Sequence, residues 1–192
     1  MRTASINRKT RETDIEVTIN LDGSGKYDIS TGVGFFDHML TALCVHSGMD
    51  MTIKTVGDLQ VDCHHTIEDT GIVLGQAFLK AIGDKKGIAR YGSAFIPMDE
   101  ALGFCSLDIS ARPYLVFNAD FSDDKMGDMD TQMVEEFFRA FSFNAGITLH
   151  LRKEYGTNDH HIAESLFKAC AHALKNACKI TSGETLSTKG VI

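Results

Sequence analysis

The string His-His-x-x-Glu occurs twice, at His64-His65-x-x-Glu68 and at His160-His161-x-x-Glu164, 96 residues apart. Each copy opens a stretch with apolar residues near helical spacing. Ile67, Leu74 and Phe78 follow the first copy, and Ile162, Leu166, Cys170, Ala173 and Ala177 follow the second. The spacing predicts a helix from about His64 to Ile82, ended by Gly83 and Gly87, and another from His160 to about Lys179. A short motif recurs by chance often enough. The same motif at the same place in two matching units constrains the chain to an internal duplication.

The flanking residues match in the same way. Asp14 to Leu21 alternates apolar and polar residues, the period of a half-buried strand. Asp22-Gly23-Ser24-Gly25 can turn the chain, so Tyr27 to Ser30 is expected to return as the second strand of a hairpin. A helix over about Phe35 to Val45, stopped by Gly48, leads to a strand at Met49 to Val56. The later half reads strand at Ser106 to Ser110, a bend at Ala111-Arg112-Pro113, and strand at Tyr114 to Phe121. A helix from about Met133 to Asn144, stopped by Gly146, and a strand at Ile147 to Arg152 complete it. His38 lies ten residues before Gly48, and Glu136 lies ten before Gly146. Each half therefore reads hairpin, helix, strand, helix, an α+β pattern. Residues 1–88 form the first half, 89–182 the second, and 183–192 a polar tail.

On a helix, residues three and four apart share a face, so each Glu can reach both imidazoles of its motif. The adjacent histidines point about 100° apart and do not easily chelate one ion together. They suit two neighbouring ions, or one ion and a substrate. Imidazole and carboxylate donors fit Mn²⁺, Fe²⁺ or Zn²⁺ without thiolate. With His38 and its repeat partner Glu136 the chain offers eight candidate ligands, enough for two sites of four. His46 is a substrate-contact candidate, while His150 and His172 read as structural. Asp37, Asp62 and Asp69 flank the ligands and could hold imidazole N–H groups. Equally, they could cap helices.

Other classes fall away. No Gly-x-Ser-x-Gly, Walker loop or Gly-x-Gly-x-x-Gly turn is present. A net charge of −7 argues against a general nucleic-acid binder. No apolar run approaches the roughly 20 residues of a membrane helix. Five scattered cysteines without a CxxC pair argue for a reducing compartment. Met1 to Glu12 lacks the apolar stretch of a signal peptide, so a cytoplasmic protein is expected.

Phe36-Asp37-His38-Met39-Leu40, Asp62-Cys63-His64-His65-Thr66-Ile67-Glu68-Asp69 and Asn158-Asp159-His160-His161 resemble the imidazoleglycerol-phosphate dehydratase family of histidine biosynthesis. Ser110-Ala111-Arg112-Pro113-Tyr114-Leu115 and Ser187-Thr188-Lys189-Gly190-Val191 fit as well, and the resemblance runs from Arg8 to Val191 in unbroken order. It implies a fold in which two sheets sandwich four helices. It implies dehydration of D-erythro-imidazole-glycerol phosphate to imidazole-acetol phosphate with two Mn²⁺ ions. It further implies a homo-24-mer with active sites between subunits. A phosphatase domain that some members carry fused is not expected in a chain of this length. The implied metal ligands are His38, His64, His65, Glu68, Glu136, His160, His161 and Glu164. The position of Glu136 is often His in the family, and Glu is a competent oxygen ligand. Implied substrate positions are Glu12, His38, His46, Arg90, Arg112, Lys168, Ser187, Thr188 and Lys189. Glu12 and Glu68 are the candidates for acid and base. Two rival readings remain: a dinuclear metal phosphoesterase, and a storage or structural shell whose ions merely join subunits.

Overall fold

The structure, a computed structural model, describes residues 1–181 and 183–190. Val191 of the tail motif lies outside the described residues.

Alternation builds the first sheet. In β2 (Thr13–Asn20) Ile15, Val17 and Ile19 are buried and Asp14 and Glu16 are exposed. On one side β2 pairs antiparallel with β1 (Thr3–Lys9), a tight hairpin with Lys9 opposite Asp14. On the other side it pairs antiparallel with β4 (Asp50–Gly57). The segment Tyr27–Ser30, β3, lies beyond β4 and runs parallel to it, giving the order β1-β2-β4-β3. The expected pairing of Asp14–Leu21 with Tyr27–Ser30 is therefore corrected. Asp50 at the start of β4 supplies the reason: its Oδ1 accepts the N–H groups of Ser24 and Lys26 at 2.8 and 2.9 Å. That carboxylate draws the linker across the end of β4 and sets β3 down on the far side. Helix α1 (Gly34–Ser47) then joins β3 to β4, as parallel neighbours require. It ends where Gly48 takes a left-handed φ of 73°. Helix α2 (His64–Ile82) follows β4.

The second half repeats the plan. It comprises β5 (Tyr91–Met98), β6 (Ala101–Asp108), β7 (Tyr114–Asn118), α3 (Met133–Ala145), β10 (Thr148–Tyr155) and α4 (Asp159–Ala177). The sheet order β5-β6-β10-β7 has the same antiparallel, antiparallel, parallel pattern. A small hairpin, β8 (Lys125–Met126) with β9 (Met129–Asp130), is inserted between β7 and α3 and has no counterpart in the first half.

Strand boundaries differ from expectation. The strand predicted at Ser106–Ser110 runs from Ala101 to Asp108, and that predicted at Tyr114–Phe121 stops at Asn118. Both β1 and β5 are sheet edges and lacked a strand signal: β1 turns out the polar Thr3, Ser5 and Asn7, whereas β5 is interrupted by Gly92 and carries Pro97, a residue confined to edge strands.

The four helices lie between the two sheets. Helix α2 packs on β1 and β2, and α4 packs on β5 and β6, while α2 meets α3 and α1 meets α4 across the middle. Aromatic residues from both halves share one core, with the Phe36 ring 5.3 Å from Phe137 and Phe78 5.9 Å from Phe141. Close approach of α2 and α3 depends on Gly71 and Gly75, since a Cβ at Gly75 would stand 2.7 Å from the Phe141 carbonyl oxygen.

Candidate active site

Asn158 starts α4 by accepting the His161 N–H at its side chain. Two residues on, His160 lies a turn ahead of Glu164, and their Nε2 and Oε2 are 3.1 Å apart. His38, one turn into α1, brings its Nε2 to 3.5 Å from the same Glu164 oxygen. One ligand atom from each of His38, His160 and Glu164 lies within 4.8 Å of the other two. The Phe35 ring stands edge-on at 5.1 Å from His160 and walls the group on one side. Burial pushes the Glu164 carboxyl up, but Lys168, His38 and His160 outweigh it, and the group sits below the usual carboxylate range. Lys168 Nζ lies 2.6 Å from its second oxygen. Two imidazoles from different helices and a mostly buried carboxylate match the N/O preference of Mn²⁺ or a similar divalent ion.

The other candidates are placed separately. At the entrance of α2, His64 Nε2 and Glu68 Oε2 are 3.6 Å apart and both side chains are exposed. His65 Nδ1 lies 3.0 Å from Asp58 and its Nε2 4.0 Å from Glu12, which sits near the tip of the β1–β2 hairpin. His161 Nδ1 lies 2.7 Å from Glu100 and its Nε2 3.6 Å from Asp99, both in the β5–β6 turn. Those hydrogen bonds raise the pKa of both imidazoles, while His161 and the Asn158 N–H hold the Glu100 carboxyl down at about 2. Glu136 is engaged by Arg139 Nε at 3.3 Å.

Of the two readings open for Asp37, Asp62 and Asp69, the structure shows none of them holding an imidazole ring. Asp37 accepts from the Thr31 N–H and hydroxyl, Asp62 from the His64 N–H, and Asp69 from the Thr13 hydroxyl beside Arg8. The carboxylates that reach the second histidines come instead from loops that precede each motif, Asp58 seven residues before His65 and Glu100 61 residues before His161.

The expected phosphate residues do gather. Arg90, Tyr91 and Arg112 line a cavity of about 670 Å³ with the tail residues 185–189, which include Ser187, Thr188 and Lys189. Arg90 is spent on the protein itself, with two donors on Asp108 and a third on the Leu186 carbonyl at 2.6 Å. It fastens the tail. Arg112 is 65% exposed, with Nη2 at 3.3 Å from Asp108 and Nη1 at 3.5 Å from the Ser110 carbonyl, two long contacts that leave the rest of its fork open. His46 sits against the His172 ring on α4, at 5.5 Å, and not beside His38. Burial, then Lys168 and His172, lowers its pKa.

The two groups are far apart. Arg90 precedes β5 and Asp99 follows it, so the eight residues of that strand put the cavity and the His161 cluster roughly 25 Å apart. Helix α4 is a second ruler. His160 is near its start, and the Ala177 carbonyl at its end accepts the Arg90 N–H, roughly 26 Å away at 1.5 Å per residue.

A duplicated α+β sandwich with imidazole–carboxylate clusters at helix entrances and a cationic cavity is thus the class that fold and site define. The family description "Imidazoleglycerol-phosphate dehydratase" matches residues 31–174. Proteins of that name from Clostridium kluyveri and Clostridium acetobutylicum are 56% and 58% identical over 194 and 193 residues. They cover 100% of this chain and 100% and 98% of their own. The crystal structure of the Staphylococcus aureus imidazoleglycerol-phosphate dehydratase has a TM-score of 0.84 at 44% identity, covering 94% of this chain and 99% of its own. That from Pyrococcus furiosus has a TM-score of 0.85 at 38% identity, covering 97% and 100%. The chain belongs to the imidazoleglycerol-phosphate dehydratase family and is a lyase.

Proposed function

We propose that this enzyme dehydrates D-erythro-imidazole-glycerol phosphate to imidazole-acetol phosphate in histidine biosynthesis, using two Mn²⁺ ions per active site. The observation that carries the reading is the meeting of His38, His160 and Glu164, drawn from both halves of the chain. These three would hold one ion. His64, His65, Glu68, Glu136 and His161 supply the remaining donors. Bound there, the ions would contribute Lewis acidity toward a leaving hydroxyl and would favour the deprotonated form of the substrate ring. Residues 1–88 and 89–182 act as two halves of one catalytic unit, with 183–192 as its phosphate-contacting tail.

The residues of the chain do the rest. Arg112 and Lys189 grip the phosphate, Ser187 and Thr188 add hydroxyl donors, and Arg90 keeps the tail over the cavity. Lys168 on α4 and His46 near the end of α1, which packs on α4, orient the substrate. Glu12 takes the proton from C2. The C3 hydroxyl leaves with one further proton as water, and the resulting enol becomes the ketone. Glu68 serves as a ligand or as the second acid–base group. Because the cavity and the His38–His160–Glu164 group lie so far apart in one chain, a small substrate needs the cavity of a neighbouring copy. A homo-24-mer with shared sites meets that need. The five cysteines are buried free thiols, which suits a cytoplasmic enzyme. No helix among the described residues is long and apolar enough to cross a membrane.

Turnover of imidazole-glycerol phosphate is the test. We expect loss with chelator, recovery with Mn²⁺ and a phosphorylated ketone as product. Release of inorganic phosphate would favour the phosphoesterase reading, and bound metal without turnover would favour the storage shell.

A further inference from the structure

Both motifs share a feature that the repeat itself does not generate. The second histidine of each has its Nδ1 on a carboxylate: His65 on Asp58 at 3.0 and 3.2 Å, His161 on Glu100 at 2.7 Å. The two carboxylates come from unrelated places. Asp58 directly follows β4, whereas Glu100 is in the turn between β5 and β6. Two different local solutions have converged on the same ring atom.

The opposite ring nitrogens are treated alike as well. Each Nε2 faces a second acidic side chain beyond hydrogen-bonding reach, Glu12 at 4.0 Å and Asp99 at 3.6 Å. The first histidines do the reverse, directing Nε2 at the Glu of their own motif. Glu100 is itself held, accepting the N–H groups of Thr157 and Asn158 at 3.1 and 2.7 Å. Its turn is also fixed by Asp99, whose φ of 47° is in the left-handed region that Asp tolerates.

We infer that Asp58 and Glu100 are positioning residues. Each holds an Nδ1–H and thereby fixes the tautomer that leaves the Nε2 lone pair of His65 or His161 for a divalent cation. An imidazole that donates one N–H to a carboxylate is oriented and made more basic at its other nitrogen. The inference rests on the metal-dependent reading above.

The full-length protein and its Asp58→Asn and Glu100→Gln variants test it. Both substitutions keep an acceptor oxygen and remove the charge. Free Mn²⁺ measured by electron paramagnetic resonance should show binding weakened about 10- to 100-fold in each variant, with the melting temperature of the metal-free protein little changed. Solid-state NMR of ¹⁵N-histidine-labelled, metal-free wild type at mildly alkaline pH should show two rings protonated at Nδ1 and bare at Nε2. Loss of those signals in His65→Ala and His161→Ala assigns them. Mn²⁺ affinity within twofold of wild type, or rings protonated at Nε2, would overturn the inference. If wild type bound no Mn²⁺, the proposed function would fall and the tautomer would still decide this point. If a variant failed to fold, the wild-type spectrum decides it too.

Discussion

Asp128 shows how much one side chain can settle. Helix α1 begins at Val33 with no side-chain cap of its own. Asp128, from the β8–β9 turn of the other half, accepts the Gly34 and Phe35 N–H groups at 2.6 and 2.9 Å. It thus caps the helix that carries His38 and steadies Phe35 beside His160. Asp128→Ala should cost about 1 kcal/mol, or about 3 °C in Tm. Burial pushes the Asp128 carboxyl up, but the Phe35 and Gly34 N–H groups outweigh it and hold it below its ordinary value. A lowered carboxyl stabilises above its unfolded-state pKa and loses that contribution as pH falls through the folded-state value. The gap between wild type and variant should therefore narrow between about pH 5 and about pH 2. Thermal melts across that range check it, and a gap independent of pH would remove the charge from the account. Sequence reading could not foresee this residue, because a cap supplied across 94 positions leaves no local pattern. Glu100 was hidden for the same reason, being 61 residues from His161. His38 and the two motifs stood out as candidates because a recurring string and a helical spacing are written in the sequence itself.

At the scale of elements, the helices and the edge strands β3 and β7 were legible, and the edge strands β1 and β5 were not. An amphipathic helix advertises itself through its apolar spine, as Ile67, Leu74 and Phe78 do in α2. A strand exposed on one face and at one edge, such as β1 with its outward Thr3, Ser5 and Asn7, has little to bury. The order of β3 and β4 was also hidden, since Asp50 decides it through backbone contacts that no alternation pattern encodes. Helix pairing was hidden in another way. Gly71 and Gly75 look like weak points in a helix, yet they are where α3 presses against α2. A methyl group at Gly75 would meet the backbone of Phe141 and Ala145 at 2.7 and 2.9 Å, and backbone gives way only if α3 moves. Gly75→Ala should destabilise by about 1–3 kcal/mol despite the better helix propensity of Ala. Gly183→Ala, with nothing within 4 Å, is the control and should be neutral. Denaturant midpoints at equal m-value report the difference. A stabilised Gly75→Ala would mean that α2 and α3 are less closely packed than the structure has them.

At the scale of the molecule, the decisive fact is that one chain holds the His38–His160–Glu164 group and the cavity around Arg112 at opposite ends of α4. In the proposed function only an assembly completes such a site, so binding that requires the complete site stabilises the assembly by mass action. Light scattering should find a small oligomer, such as a trimer, in chelated protein and a large shell once Mn²⁺ is added. One unchanged mass, with full metal occupancy in isolated monomers, would refute this. Complementation gives a sharper test, because it asks which chain supplies each end. His160→Ala damages the metal end and leaves the cavity intact, whereas Arg112→Ala damages the cavity and leaves the metal end intact. Each variant alone should be nearly inactive at low substrate concentration. Unfolding and refolding the two together lets their chains mix in one oligomer. If each site takes its metal end from one chain and its cavity from another, random mixing makes about a quarter of sites whole. The mixed sample should then recover about a quarter of wild-type kcat per site, with the wild-type KM. If both ends came from the same chain, every site would carry one lesion and mixing would restore nothing. Separately refolded variants, combined only afterwards, must stay inactive for the recovered activity to be assigned to shared sites.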